Sequence, residues 1–214
     1  MQIQQQIIKA AQSLSACKLG SGKAGNVSGR GGAGYFITPT GVAYATLDSN
    51  HIVEMDLKGN AVNSDLLPSS EWRLHQDIYL QRSQVHGIVH THSPYATAIA
   101  CTRQGIPAFH YMVAVAGGNS IRCADYATFG TGELSAHALQ ALQDRQACLL
   151  ANHGVVALGY DVAAAFELAQ QVEELARQYV LSRQFGEPVL LDDNEMATNL
   201  KKFATYGKQG TDGN

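Results

Sequence analysis

Cysteine is scarce and scattered. Cys17, Cys101, Cys123 and Cys148 form no CxxC pair, which predicts reduced packing residues of a cytosolic protein rather than a disulfide framework. Basic charge is also short. The 15 Lys+Arg against 18 Asp+Glu leave a formal net charge of −3, which argues against a general polyanion binder and hence against nucleic acid as a partner. No apolar run reaches the roughly 18 residues that would span a bilayer, so no membrane partner is expected. Met1 to Gln6 lacks the basic start and apolar stretch of a signal peptide. What is present is 214 residues, 45% of them hydrophobic, a length that can bury roughly 70% of its unfolded surface. The 21 glycines follow no collagen period, and the apolar content is too high for disorder.

Ile3, Ile7, Ile8, Ala11 and Leu14 recur at helical spacing, predicting an amphipathic helix that ends near Gly20. Four strand-like pieces follow, Val27 to Arg30, Tyr35 to Thr38, Val42 to Ala45 and His51 to Met55, separated by Gly and Pro as in antiparallel hairpins. A helix is expected after Pro68-Ser69-Ser70, with the serines as N-cap oxygens and Glu71 in its first turn. His86 to His92 reads as a buried strand, Tyr95 to Arg103 as a short helix, and Cys148 to Leu158 as two strands around Asn152-His153-Gly154. Asp161 is positioned to cap a long helix that Gly186 stops, and a last helix runs from about Glu195 to Tyr206. With no repeat or linker, the simplest architecture is a single α/β domain over residues 1–207, with 208–214 as a tail. It is a three-layer α/β/α arrangement around a mixed, largely antiparallel sheet.

Gly20-Ser21-Gly22-Lys23-Ala24-Gly25 matches GxGxxG literally, but a dinucleotide fingerprint needs a strand before and a helix after, and here that order is reversed. It fails as a P-loop too, because Ala24 follows the lysine. The stretch can still cradle a smaller anion, with Asn26 and Lys23 as donors. His90-Thr91-His92 is the stronger signal. Residues i and i+2 of a strand face one side, so both imidazoles can converge on one metal, although an HxH alone is as readily ordinary histidine. His153 in a strand turn makes three histidines, the number of protein ligands in an open catalytic zinc site. Glu71 can add a fourth contact or a base, or simply favour a helix dipole. Ser69 and Ser70 can cap a helix or hold a phosphate at its N-terminus. Thr38-Pro39-Thr40-Gly41 can be a turn or bring Thr40 and Gly41 to the same anion. His51, His75, His86, His110 and His137 have no ligand-like spacing and read as structural.

Together these motifs resemble the class II aldolase family, in its fuculose-1-phosphate aldolase branch. The matching pieces are Gly25-Asn26-Val27-Ser28 with Arg30, Thr38-Pro39-Thr40-Gly41, Pro68-Ser69-Ser70-Glu71-Trp72-Arg73, His90 with His92, and His153-Gly154. Ile106-Pro107-Ala108 with His110-Tyr111-Met112, Ala116-Gly117-Gly118-Asn119-Ser120-Ile121, Tyr126 to Thr131 and Lys202-Phe203 with Tyr206-Gly207 complete the series. The resemblance implies Zn2+, or another divalent first-row metal, held by His90, His92 and His153, with Glu71 as a ligand in the absence of substrate. It places a sugar phosphate among Asn26, Thr40, Gly41, Ser69 and Ser70. It makes Glu71 and Tyr111 catalytic, with Phe129 and Tyr206 on the aldehyde side. It further implies a cytoplasmic homotetramer with active sites at subunit interfaces. Lys23, where the branch has threonine, and Thr91, where it has asparagine, depart from the pattern.

The implied reaction is reversible cleavage of a ketose 1-phosphate to dihydroxyacetone phosphate and an aldehyde, with metal stabilisation of an enediolate. Decarboxylases, dehydratases and pentulose-5-phosphate 4-epimerases share the superfamily, and the adducin head is a non-catalytic interaction module on the same fold. Glu71 speaks against the epimerases, which tend to have aspartate there, and the three histidines speak against the adducin head.

Overall fold

Short strands of alternating or continuous burial build the middle layer of the computed structural model, which describes residues 2–20, 22–62 and 64–203. The strands are β1 (Asn26–Gly31), β2 (Gly34–Ile37), β3 (Val53–Asp56), β4 (Ala61–Val62), β5 (Gly87–Thr91), β6 (Cys123–Ala124), β7 (Ala147–Leu150) and β8 (Gly154–Gly159). They lie in the order β4-β3-β2-β1-β5-β8-β7-β6. Among the described residues, only β6 and β7 pair in parallel.

Alternation sends each strand's side chains to two separate cores. Val27, Val89, Val155 and Ala157 pack on one face with apolar residues of α1 (Ile3–Ala16), α3 (Pro94–Cys101) and α5 (Val162–Phe185). Tyr35, Ile88, Val156 and Leu158 pack on the other with α2 (Trp72–Gln81) and α4 (Gly132–Ala141). The result is three layers, α/β/α, with a largely antiparallel sheet. A sixth helix, α6 (Asp193–Phe203), lies against the 3-10 turn Tyr111–Ala116. The expected end of that helix at Tyr206 and the tail 208–214 fall outside the described residues.

Two local expectations are corrected. Val42 to Ala45 is not a strand, and a 3-10 turn occupies Tyr44–Thr46 instead. Pro39 and the left-handed Gly41 (φ 76) turn the chain away from the sheet, and Tyr44 buries its ring while its hydroxyl donates to the Gly25 carbonyl. Nor do the serines cap α2. Glu71 occupies the N-cap position without a side-chain cap bond, and Ser69 Oγ accepts only a long 3.4 Å bond from the Glu71 N–H. The carboxylate is engaged elsewhere, as described below. Three elements, β4, β6 and α4, have no counterpart in the sequence reading. Thr131 caps α4 by accepting from the Leu134 N–H at 3.2 Å, and Leu134, Ala138 and Ala141 are its buried stripe.

One chain of contacts carries the helical layer to the site. Glu173 on α5 accepts the N–H groups of Tyr95 and Ala96, each at 2.9 Å, and so closes the N-terminus of α3. Hydrogen bonds to a charged acceptor contribute about 1.5–3 kcal/mol apiece. The other end of α3 holds the β7–β8 turn, because Asn152 N–H donates to the Ala100 carbonyl at 3.0 Å and its side chain meets Cys101 and Arg103. Asn152 is left-handed (φ 55), a conformation asparagine tolerates better than most residues. His153 follows directly and inherits that position.

Gly154 then allows the close approach of β8 to β5. A Cβ there would lie 2.2 Å from the Thr91 carbonyl oxygen and 3.1 Å from the His92 ring. Gly154→Ala should therefore force the strands apart and cost about 1–3 kcal/mol, read as a lower urea midpoint at unchanged m-value. A midpoint equal to that of the wild type would show that β5 and β8 have slack here.

Candidate metal centre

β5, the β7–β8 turn and the residue before α2 bring four side chains to one point. Glu71, His90, His92 and His153 each offer a ligand atom, all within 4.8 Å of one another. The three imidazole centroids are 4.8–5.0 Å apart. His90 is fully buried at the bottom, while His92 and His153 open toward solvent.

The proton assignments show what the cluster is suited to hold. His90 Nδ1 lies 2.9 Å from the Val155 carbonyl, which can only accept, so Nδ1 carries the hydrogen and Nε2 presents its lone pair inward. That nitrogen is 2.9 Å from His92 Nε2 and 3.1 Å from Glu71 Oε2. His153 Nε2 is 3.3 Å from Glu71 Oε1. This buried Oε1 has no hydrogen-bond partner among the described residues. Acceptors crowded at such distances need a cation or a proton between them, and imidazole nitrogens with one carboxylate are the donors of a catalytic zinc-type site. The residues present fit a divalent metal.

In the metal-free chain a proton on His90 performs that role. Burial disfavours the charged imidazole, but the Glu71 carboxylate outweighs it and raises His90 above its ordinary value. Burial would likewise raise Glu71, yet the attraction of His90, His153 and the Asn26 N–H holds its carboxyl well below the usual range. His92 and His153 are pushed down to about 4 by burial and by the charge on His90. Both are therefore neutral near pH 7, the form that binds a metal.

Glu71, His92 and His153 line a cavity of about 390 Å³, while His90 is fully buried and outside its lining. Its walls include Asn26, Thr40, Gly41, Ser69, Ser70 and Phe129 from the sequence reading. Tyr44, Tyr126 and Asn152 also line it, and sequence reasoning gave them no role. Lys23 supplies the only Lys or Arg among the described residues of the lining. Two expected residues are not assembled here. Tyr111 does not line this cavity; it is 48% exposed and stacks on Phe203 at 6.3 Å. Tyr206 lies outside the described residues.

Sequence reasoning also missed a polar column beneath the site. Asn26, Ser28 and Arg30 alternate onto the α2 face of β1, where apolar residues would be usual. Asn26 Nδ2 donates to Glu71 Oε2 at 2.9 Å, and Asn26 Oδ1 is 2.5 Å from His75 Nε2. His75 Nδ1 is 2.6 Å from Ser28 Oγ, which is 2.8 Å from the Tyr79 hydroxyl. His75 and Tyr79, four apart on α2, could have revealed the column only if paired with alternate residues of β1.

Comparison with known proteins points to one family. The family model described as Class II Aldolase and Adducin N-terminal domain matches residues 5–180. The chain is 51% identical over 201 residues to a 5-methylthioribulose-1-phosphate/5-deoxyribulose-1-phosphate aldolase of Rhodospirillum rubrum, covering 94% of this chain and 90% of that protein. It is 46% identical over 204 residues to an L-fuculose phosphate aldolase of Escherichia coli, covering 94% of each. A solved structure of an L-fuculose 1-phosphate aldolase superposes with a TM-score of 0.91 at 42% identity, covering 94% of this chain and 96% of that one.

His75 makes stability depend on pH. Burial, then repulsion from His90, pushes it down to about 3 from an unfolded value of 6.5, against the pull of Glu71. Below pH 6.5 the unfolded chain takes up a proton that the folded chain refuses, so this stability is full above that pH and is lost on acidification toward pH 3. One proton corresponds to about 1.4 kcal/mol per pH unit. Urea unfolding of the metal-free protein between pH 7 and 5 should slope less steeply in His75→Gln by that order; equal slopes would place the titration elsewhere.

Proposed function

The chain belongs to the class II aldolase and adducin N-terminal domain family, and from that premise we propose that it is a zinc-dependent aldolase. It reversibly cleaves a ketose 1-phosphate to dihydroxyacetone phosphate and a small aldehyde. The observation that carries the reading is the convergence of Glu71, His90, His92 and His153, three of which line a cleft whose walls offer phosphate donors.

His90, His92, His153 and, without substrate, Glu71 would hold the ion, which when bound supplies Lewis-acid stabilisation of negative charge developing on substrate oxygen. The phosphate is assigned to the Ser69 and Ser70 hydroxyls, Thr40, the Gly41 backbone and Asn26, with Lys23 adding a full positive charge at the rim. Glu71 takes and returns the proton of the hydroxymethyl carbon. Its contacts with the histidines keep it ionised but also weaken it as a base, so its basicity returns as it swings free of them. The aldehyde side is assigned to Phe129 and Tyr206, and also to Tyr126, which lines the same cavity as Phe129. Such aromatics suit an aldehyde ending in a methyl or methylthio group, a feature shared by the sugars for which the relatives are named.

Tyr111 is the proposed acid for the aldehyde oxygen. Its exposure and its absence from the cavity lining support a tetramer in which a neighbouring copy supplies it. A cytoplasmic location accords with four unbridged cysteines and with no helix among the described residues long and apolar enough to cross a membrane.

A coupled assay for dihydroxyacetone phosphate release, run over fuculose, rhamnulose, ribulose, 5-deoxyribulose and methylthioribulose 1-phosphates, tests the activity. Release from none of them would overturn it. Elemental analysis of His92→Ala should show the zinc of the wild type lost, and full retention would remove His92 from the ligand set.

Glu71→Gln keeps the size and a metal-facing oxygen but removes the base, so kcat should fall about 10²–10⁴-fold. Exchange of the hydroxymethyl hydrogen of dihydroxyacetone phosphate in deuterated water, which needs no aldehyde, should vanish with it. Tyr111→Phe should still exchange while losing carbon–carbon cleavage. Exchange at the wild-type rate in Glu71→Gln would assign the proton to another group.

A further inference from the structure

The hydrogen-bond chain under α2 has only one consistent direction. An ionised carboxylate only accepts, so Asn26 must turn its NH2 to Glu71 Oε2. Its carbonyl oxygen therefore faces His75 Nε2, which must carry the hydrogen. Neutral His75 then has a bare Nδ1, which accepts from the Ser28 hydroxyl. Ser28 Oγ, having given its hydrogen, accepts from the Tyr79 hydroxyl. The far end is anchored by Arg30, whose guanidinium lies 4.7 Å over the Tyr79 ring and donates to the carbonyls of Tyr79 and Arg82 at 2.8 and 3.1 Å. Burial excludes water from the chain, since Ser28 and His75 are 0%, Tyr79 2% and Asn26 3% exposed. The burial that keeps His75 uncharged supports the same assignment.

We propose that His75 is a positioning residue for proton transfer, locking the Asn26 amide so that its NH2 always faces the Glu71 carboxylate. This rests on Glu71 being the base. A free asparagine amide can rotate by half a turn and present its oxygen to the carboxylate, which would repel Glu71 from its working position. With His75 as an Nε2–H donor, that rotation sets oxygen against Glu71 and an N–H against an N–H, and both contacts are lost together. The chain thus converts a two-way amide into a one-way donor. The histidine sits one residue beyond any contact with the metal ligands, which is why ligand spacing does not reveal it.

Two polar variants of the full-length zinc enzyme separate positioning from simple packing. His75→Gln has the reach to place an amide N–H at Asn26, whereas His75→Asn ends beside Ser28 and falls short. The maximal rate of dihydroxyacetone phosphate hydrogen exchange should fall about 10–100-fold in His75→Asn, and His75→Gln should recover most of the loss. Nitrogen-15 NMR of histidine-labelled wild-type protein reads the tautomer without reference to activity and should report Nε2–H for His75. Equal exchange rates in the two variants, or an Nδ1–H tautomer, would overturn the proposal. Wild-type exchange in Glu71→Gln would instead remove the base assignment while leaving the tautomer standing.

Discussion

A buried carboxylate among lone pairs imposes order on everything around it. Glu71 is 6% exposed, and an isolated ionised carboxylate at such a depth is too costly to persist. It persists because His90, His153 and Asn26 surround it. Each partner is then constrained in turn. His90 must be fixed through Nδ1 by a backbone carbonyl, and Asn26 must present its amide nitrogen, so the direction of every proton as far as Tyr79 follows from one negative charge. The Val155 carbonyl also explains why β8 must lie beside β5, since it is a backbone group of that strand that sets the orientation of the deepest histidine.

The scaffold supplies distance, and it does so with rigid elements. The Asn26↔His90 register between β1 and β5 sets the spacing of the amide and the imidazole. The turn after β7 sets His153, and it is tied to α3, whose own N-terminus is tied to Glu173 in the long helix α5. A displacement of α5 would therefore reach His153 through α3 and the β7–β8 turn. The cleft side of the cluster is built differently, from the Lys23 to Gly25 segment, the Thr40-Gly41 turn and exposed aromatics. Rigid parts hold the charge, and loops line the cleft, a common division of labour between scaffold and loops.

Much of this was legible in the sequence because it rests on local patterns. The HxH on an apolar run, the glycine after His153 and the Asp161 cap each act over a few residues, and the structure has all of them. The errors arise where distant residues override local preference. Ser69 and Ser70 are good capping residues, yet Glu71 holds the cap position because its side chain is drawn to β1 and β5. Val42 to Ala45 has strand-forming residues, but the hydrogen bond from Tyr44 to the Gly25 carbonyl and the turn at Gly41 take it out of the sheet. His75 read as structural because no ligand-like spacing ties it to the other histidines. Its partner Ser28 is 47 residues away, and only the folded sheet brings the two together.

The polar column of β1 also limits how the fold can vary. An apolar side chain in place of Asn26, Ser28 or His75 would leave its neighbour's donor or acceptor buried without a partner, at about 1–3 kcal/mol. Replacing all three with well-packed apolar residues could be neutral for stability, but it would leave Glu71 with no fixed donor on that side. The same reasoning separates the two kinds of residue in the cleft. Lys23 and Phe129 at the exposed rim can change without leaving a buried group unpaired, whereas the charge-holding cluster cannot.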